Sequence, residues 1–288
     1  MSRSARPLHG TRIVSLALNL PGPAALRRLA DLGARCTKIN PPAGDAMKAY
    51  TQEGYASLHA GIKELSLDLK SKTGQTRLQG LLGRTDVLLT SFRPSALRKL
   101  GLDWPGLHKH HPQLSMVRIV GASGAQAEVP GHDLTYQAEA GLLSSLQMPP
   151  SLFADMSGAL MASEAALAAL LLRHTSGKGS CHTVALADAA HWLALPRRWR
   201  MTTPDGPVGG AHAGYAMYAC KDGRVAVAAL ESHFAAALCQ AAGIPIQGLT
   251  DLFKPATHSA VAQFFAGKTR AQLKRLALQH DLPLHTLL

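Results

Sequence analysis

The sequence predicts an α/β fold: a doubly wound, mainly parallel sheet in a large domain, followed by a smaller α+β domain. Three observations predict it. Short apolar runs alternate with helix-periodic segments through most of the chain. Some of those runs, such as DVLLTSF at 86–92 with its consecutive Val-Leu-Leu, read as buried-type strands. Near position 200 the texture changes, and turn-rich TTPDGPVGGAHAG leads into a hairpin-like pair. With 288 residues the chain has room for two moderate domains, expected at 1–200 and 201–288.

The elements follow in order. TRIVSLAL (11–18) reads as a strand, PGP punctuates, and AALRRLADLG (24–33) has helical spacing closed by glycine. RCTKIN (35–40) is the second strand and PPAGD a loop. ELSLDL (64–69) alternates as a strand, and TGQTRLQGLLGRT (73–85) is a helix. After strand 86–92, SALRKLGL and WPGLHKHH continue in helix, and SMVRIVGA (115–122) is the next strand. A long Ala/Leu helix follows Asp155 and closes at Gly177. CHTVALADAA (181–190) passes from strand to helix. YAMYACKDGRVAVAAL (215–230) reads as an antiparallel hairpin around Lys-Asp-Gly, and helices are expected from there to the end.

Composition narrows the function. A formal charge of +12 favours an anionic partner. Only 5% of residues are aromatic, so stacking platforms for nucleic acid are scarce and a small phosphorylated ligand is the better expectation. Apolar stretches such as ALAALLL (166–172) are too short to span a bilayer. MSRSARPLHG lacks the apolar core of a secretory leader, and the four cysteines form no CxxC pair. A soluble, cytoplasmic protein without membrane or nucleic-acid partners is expected.

Several motifs dissolve on inspection. TSGKGS (175–180) lacks the first glycine and following Ser/Thr of a Walker loop, and it follows a helix rather than opening one. It reads as a helix C-cap. No GxGxxG occurs in the first strand-turn-helix unit. Adjacent histidines in HKHH (108–111) point different ways and have no cysteine or carboxylate cluster behind them. No metal site is expected there or at Gly131-His132-Asp133. That last triplet, at a strand-to-helix transition, stays open between a helix cap and an acid/base centre. Asp155 poses the same choice, as an N-cap carboxylate or as a reactive carboxyl beside free helix amides.

Segments in sequence carry a resemblance that decides between these readings. They are LHGTRIVSLALNLPGPAALRRLADLGARCTKINPPAGD, LSLDLKS, TSFRPSALRKLGL, GHDLTYQAEAG, ADMSGALMASEAALAALLLRHTSGKG and YACKDGRVAVAALESHF. In this order they resemble the family III CoA-transferases, a group that includes formyl-CoA transferase, carnitine-CoA transferase and α-methylacyl-CoA racemase. GHDLTY resembles the racemase branch most closely.

The resemblance implies coenzyme A, presented as an acyl-CoA thioester, as the substrate moiety. It implies His132 and Asp155 as the two bases that remove and return an α-proton, with Asp133 beside the first. Glu231, in ALESHF, matches the Glu that orients the histidine. Arg93 matches the FRP arginine of the CoA site, and Gly131 and Tyr136 lie where relatives touch the ligand. The arginine that usually precedes the loop proline is Pro41 here, and the GKRS-like segment reads GIKE. Lys63 and Lys38 are therefore the cations expected near the nucleotide phosphates. In the transferase branch Asp155 would instead be a nucleophile that carries CoA as an aspartyl thioester. A shortened member that binds CoA or a partner without catalysis is a third reading. The resemblance also implies an interlocked homodimer with its active site between the large domain of one chain and the small domain of the other. The C-terminal segment that returns to the large domain in relatives is missing from the sequence.

Overall fold

A computed structural model describes residues 6–288, and the first five positions, part of the start read above, lie outside them. The chain forms two compact units, one reaching to Ala194 and the other running Leu195–Leu288.

In the first unit β1 (Arg12–Ser15), α1 (Pro21–Asp31) and β2 (Arg35–Asn40) open the alternation. Two short helices, α2 (Met47–Tyr50) and α3 (Gln52–His59), fill the stretch assigned no element from sequence, before β3 (Lys63–Ser66). Then come α4 (Lys72–Leu82), β4 (Val87–Thr90), α5 (Pro94–Lys99), α6 (Trp104–His110) and β5 (Ser115–Val120). A 3-10 turn (Gly124–Glu128), α7 (Asp133–Glu139), α8 (Phe153–Ser176), β6 (Cys181–Ala185) and α9 (Leu186–Leu193) complete the unit.

The six strands lie in the order β3-β2-β1-β4-β5-β6, and each neighbouring pair is parallel. This is the doubly wound arrangement, with strand order reversing between β1 and β4. Successive side chains face opposite layers, so Ile13 enters one core with α1 and α8, while Val14 enters the other with α4 and Leu107 of α6. The α8 side is built of small residues: Ala154, Ala159, Ala162, Ala166 and Ala169 are all fully buried. That alanine face lets the helix lie close to the sheet and α1.

Two local readings change. The strand expected over 64–69 spans only Lys63–Ser66, because Asp68 starts a turn. Its carboxylate accepts from Lys70 N at 2.9 Å, and its carbonyl accepts from Ser71 Oγ at 2.8 Å. Ser71 then caps α4 by accepting from Gly74 N at 3.0 Å. The apolar run in α8 is also longer than ALAALLL: the helix has 24 residues and is long and apolar enough to cross a membrane by length and composition. Its buried alanine face is that of a core helix. Gly177, at φ 69°, ends it as the C-cap read from TSGKG.

The second unit contains α10 (Leu195–Arg198), β7 (Tyr215–Cys220), β8 (Gly223–Ala228), α11 (Ser232–Ala242), α12 (Pro255–Ala266), α13 (Arg270–His280) and β9 (Leu284–Leu287). The hairpin forms as read, with Lys221 and Asp222 joining β7 to β8. Helices do not run to the end. Asp281 leaves α13 in the left-handed region (φ 51°), and Leu284–Leu287 then pairs antiparallel with β8. The third strand occupies an edge of β8 that a hairpin alone would leave unpaired. Phe265, Leu273, Leu238 and Val225 form the buried core between these elements.

Candidate active site

Loops at the C-terminal ends of four parallel strands enclose a cavity of about 270 Å³. Leu18 and Asn19 follow β1, Ser91 and Arg93 follow β4, Gly121 follows β5, and Leu186 follows β6. This is the crevice where a doubly wound sheet places its ligands, next to the β1/β4 reversal. His132, Gly131, Tyr136 and Asp155 complete the wall. The structure therefore gathers six of the residues selected from sequence: Arg93, Gly131, His132, Tyr136 and Asp155 in the wall, and Asp133 directly behind it.

His132 is the N-cap of α7, exposed, in extended backbone at φ −141°. Thr135 fixes it twice, since His132 N donates to Thr135 Oγ1 at 3.0 Å and that hydroxyl donates to His132 O at 2.7 Å. The next residue, Asp133, turns inward and is buried. Its Oδ1 accepts from Asp155 N at 2.9 Å, and its Oδ2 accepts from Gln137 Nε2. Asp133 thus satisfies a free amide in the first turn of α8 and joins the start of α7 to the start of α8.

Asp155 is not an N-cap; Leu152 holds that position, and Asp155 lies inside the first turn. A helix N-terminus favours a carboxylate, yet the Asp155 carboxyl is pushed up to about 7, chiefly by burial and then by the charge of Asp133. Burial outweighs the dipole, and the group exchanges its proton near neutrality. The Asp155 amide is already bonded to Asp133, so this one is not offered to a developing oxyanion.

Tyr136 is buried against two glycines. A Cβ on Gly121 would lie 2.2 Å from its hydroxyl oxygen, and one on Gly131 would lie 2.6 Å from it. Glycine at both positions makes room for the phenol. Burial and the nearby Asp155 raise the Tyr136 pKa. Arg93 is exposed at the N-cap of α5. Its loop is anchored by Glu128, a residue unmarked in the sequence, whose two carboxylate oxygens accept from Ser95 N and Ser95 Oγ at 2.7 Å each.

Three of the selected residues stand elsewhere. Lys38, expected near the phosphates, does not face the cavity: its side chain is fully buried, with Nζ 2.6 Å from Asp45 Oδ2 and 2.7 Å from Ala17 O. Asp45 Oδ1 in turn accepts from Asn19 N at 2.9 Å. The lysine is a brace behind the β1–α1 loop rather than a phosphate ligand. Lys63 is the first residue of β3 and lines a different cavity at the opposite, N-terminal edge of the sheet. Glu231 is the exposed N-cap of α11 in the second unit. Among the described residues, no group of three His, Cys, Asp or Glu side chains could hold a metal ion.

Comparison with known proteins places this geometry. The model of CoA-transferase family III matches residues 8–288. The chain belongs to CoA-transferase family III. Alpha-methylacyl-CoA racemase of Mus musculus is 32% identical over 287 residues, covering 92% of this chain and 73% of the racemase. Cinnamoyl-CoA:phenyllactate CoA-transferase of Clostridium sporogenes is 32% identical over 212 residues, covering 66% of this chain and 51% of the transferase. Among solved structures, a hypothetical protein from Mycobacterium tuberculosis superposes with a TM-score of 0.85 at 25% identity, over 98% of this chain and 84% of the other. A CAIB/BAIF family protein from Brucella suis gives 0.81 at 25% identity, over 98% of this chain and 84% of its own. Family III members are thus represented by both racemases and CoA-transferases, and this chain is a family III enzyme.

Proposed function

We propose that this family III enzyme moves the α-proton of a 2-methylacyl-CoA, interconverting its two epimers. The observation that carries the reading is one cavity wall holding His132 and an Asp155 whose carboxyl titrates near neutrality. A thioester α-proton needs a base on one face and an acid on the other, each poised near the working pH. His132 takes the proton, a protonated Asp155 supplies one, and the roles exchange when substrate handedness reverses. Asp133 favours the protonated form of Asp155 by its charge and holds the helix turn that carries it. Arg93 is the cation at the cavity for the CoA phosphates. The identity to a racemase over most of the chain supports the choice.

The test is a single enantiomer of 2-methylacyl-CoA in deuterated water. Deuterium entering the α-carbon together with inversion is the expected result. Transferase relatives favour a second reading, in which Asp155 attacks the thioester and passes CoA to another acid. His132→Ala separates the two, since it removes inversion at the α-carbon and spares CoA transfer. CoA binding without turnover of any thioester would leave a binding protein and overturn both. We further infer a homodimer in a reducing, cytoplasmic compartment; the four free thiols support the latter.

A further inference from the structure

We propose that Arg12, Arg35, Lys63 and Arg84 form a second ligand site, for a small phosphate anion of diphosphate size, at the sheet edge opposite the active site. The four side chains line one cavity of about 270 Å³. Sheet register builds it. Arg12 opens β1 directly beside Arg35, which opens β2, and Thr37, two residues on, is paired with Lys63 at the start of β3. Residues two apart on a strand share a face, so three adjacent strands each place a cation on the same face. Arg84, in the turn after α4, adds the fourth from the helical layer.

Like charges side by side on one face of a sheet destabilise it. Among the described residues, none of the four side chains has a hydrogen-bond or ion-pair partner. Asp86 accepts from the Arg12 amide at 2.6 Å, but its other oxygen is taken by Arg173 Nη1 at 2.8 Å. Three guanidinium forks and an ammonium around a recess match a compact, multiply charged phosphate, and Thr37 adds a hydroxyl in the same lining. The active-site cavity lies at the other ends of these strands, so the two sites are separate.

The experiment is calorimetric titration of the full chain with inorganic pyrophosphate in 0.15 M KCl. Wild type, Arg12→Gln/Arg35→Gln and Arg93→Gln are compared, each also titrated with CoA. One pyrophosphate per chain is expected, at least tenfold weaker in Arg12→Gln/Arg35→Gln and unchanged in Arg93→Gln. CoA binding in Arg12→Gln/Arg35→Gln should stay within twofold of wild type. Removing the repulsion should leave the melting temperature of that variant equal or higher. If the variant folds poorly, Lys63→Gln and Arg84→Gln replace it, each expected to weaken pyrophosphate at least threefold. Absence of saturable binding in wild type, or pyrophosphate affinity indifferent to the cradle substitutions, overturns the proposal. Parallel loss of CoA and pyrophosphate in Arg12→Gln/Arg35→Gln also overturns it, because the cradle would then serve the CoA phosphates.

Discussion

Asp155 sets a pH dependence that can be followed in stability as well as in rate. Its carboxyl is raised from 3.8 to about 7 in the folded chain, so folding favours the protonated form. The unfolded chain ionises first as pH rises, and the stability held below about pH 4 is lost progressively up to about pH 7. Asp155→Asn, which cannot ionise, should therefore melt with wild type at pH 4 and several degrees above it at pH 8, while losing inversion at the α-carbon. A melting-temperature difference that does not grow with pH would show that the buried carboxyl is not the source. Lys38 and Asp45 behave differently, since each neutralises the other inside the protein. Asp45→Ala leaves a buried ammonium and frees the Asn19 amide, and should cost about 3–5 kcal/mol in urea unfolding. Lys38→Met/Asp45→Leu, which removes both charges, should recover much of that loss.

At the scale of elements, the joint between β1 and α1 shows what sequence conveys and what it leaves out. TRIVSLAL gave the strand and AALRRLADLG the helix, because each signal is local, an apolar run and a period; PGP, read as punctuation, is instead the first turn of α1. The purpose of Gly22 is not local. A Cβ there would lie 2.2 Å from that of Ala17, a contact created only when α1 folds back over the end of β1. Gly22→Ala should destabilise the chain by about 1–3 kcal/mol through forced backbone movement. It should also raise KM for acyl-CoA, because Leu18, Asn19 and Pro21 line the cavity. Unchanged unfolding and unchanged kinetics would show that the joint yields freely. The same distinction explains the site. His132, Asp133 and Asp155 were legible as a motif, whereas Lys38 was misplaced because its strand parity turns it inward onto Asp45. Glu128 was invisible because its partner Ser95 is remote in sequence. Strand β9 escaped because LHTL has no turn signal tying it to β8, and pairing alone defines it.

At the scale of the whole molecule, α8 is two-faced in a way that its composition hides. Its alanines fill the core, while Met156, Leu160 and Leu171 remain 42%, 50% and 71% exposed. At 3.6 residues per turn these three fall on one side of the helix. Trp192 on α9, which packs against α8, is 66% exposed as well. Apolar surface of this kind on a chain with net charge +12 is what an association face requires, and single exposed side chains would not be. It supports the homodimer inferred above. Sedimentation at micromolar concentration should give twice the mass of the chain for wild type. Leu160→Glu/Leu171→Glu should sediment as a folded monomer, since neither side chain contributes to the buried core. If catalysis draws on residues of both copies, that monomer loses α-exchange while its melting temperature holds within a few degrees. A wild-type monomer would remove the dimer, and a monomeric variant with full α-exchange would show that one chain supplies the whole active site.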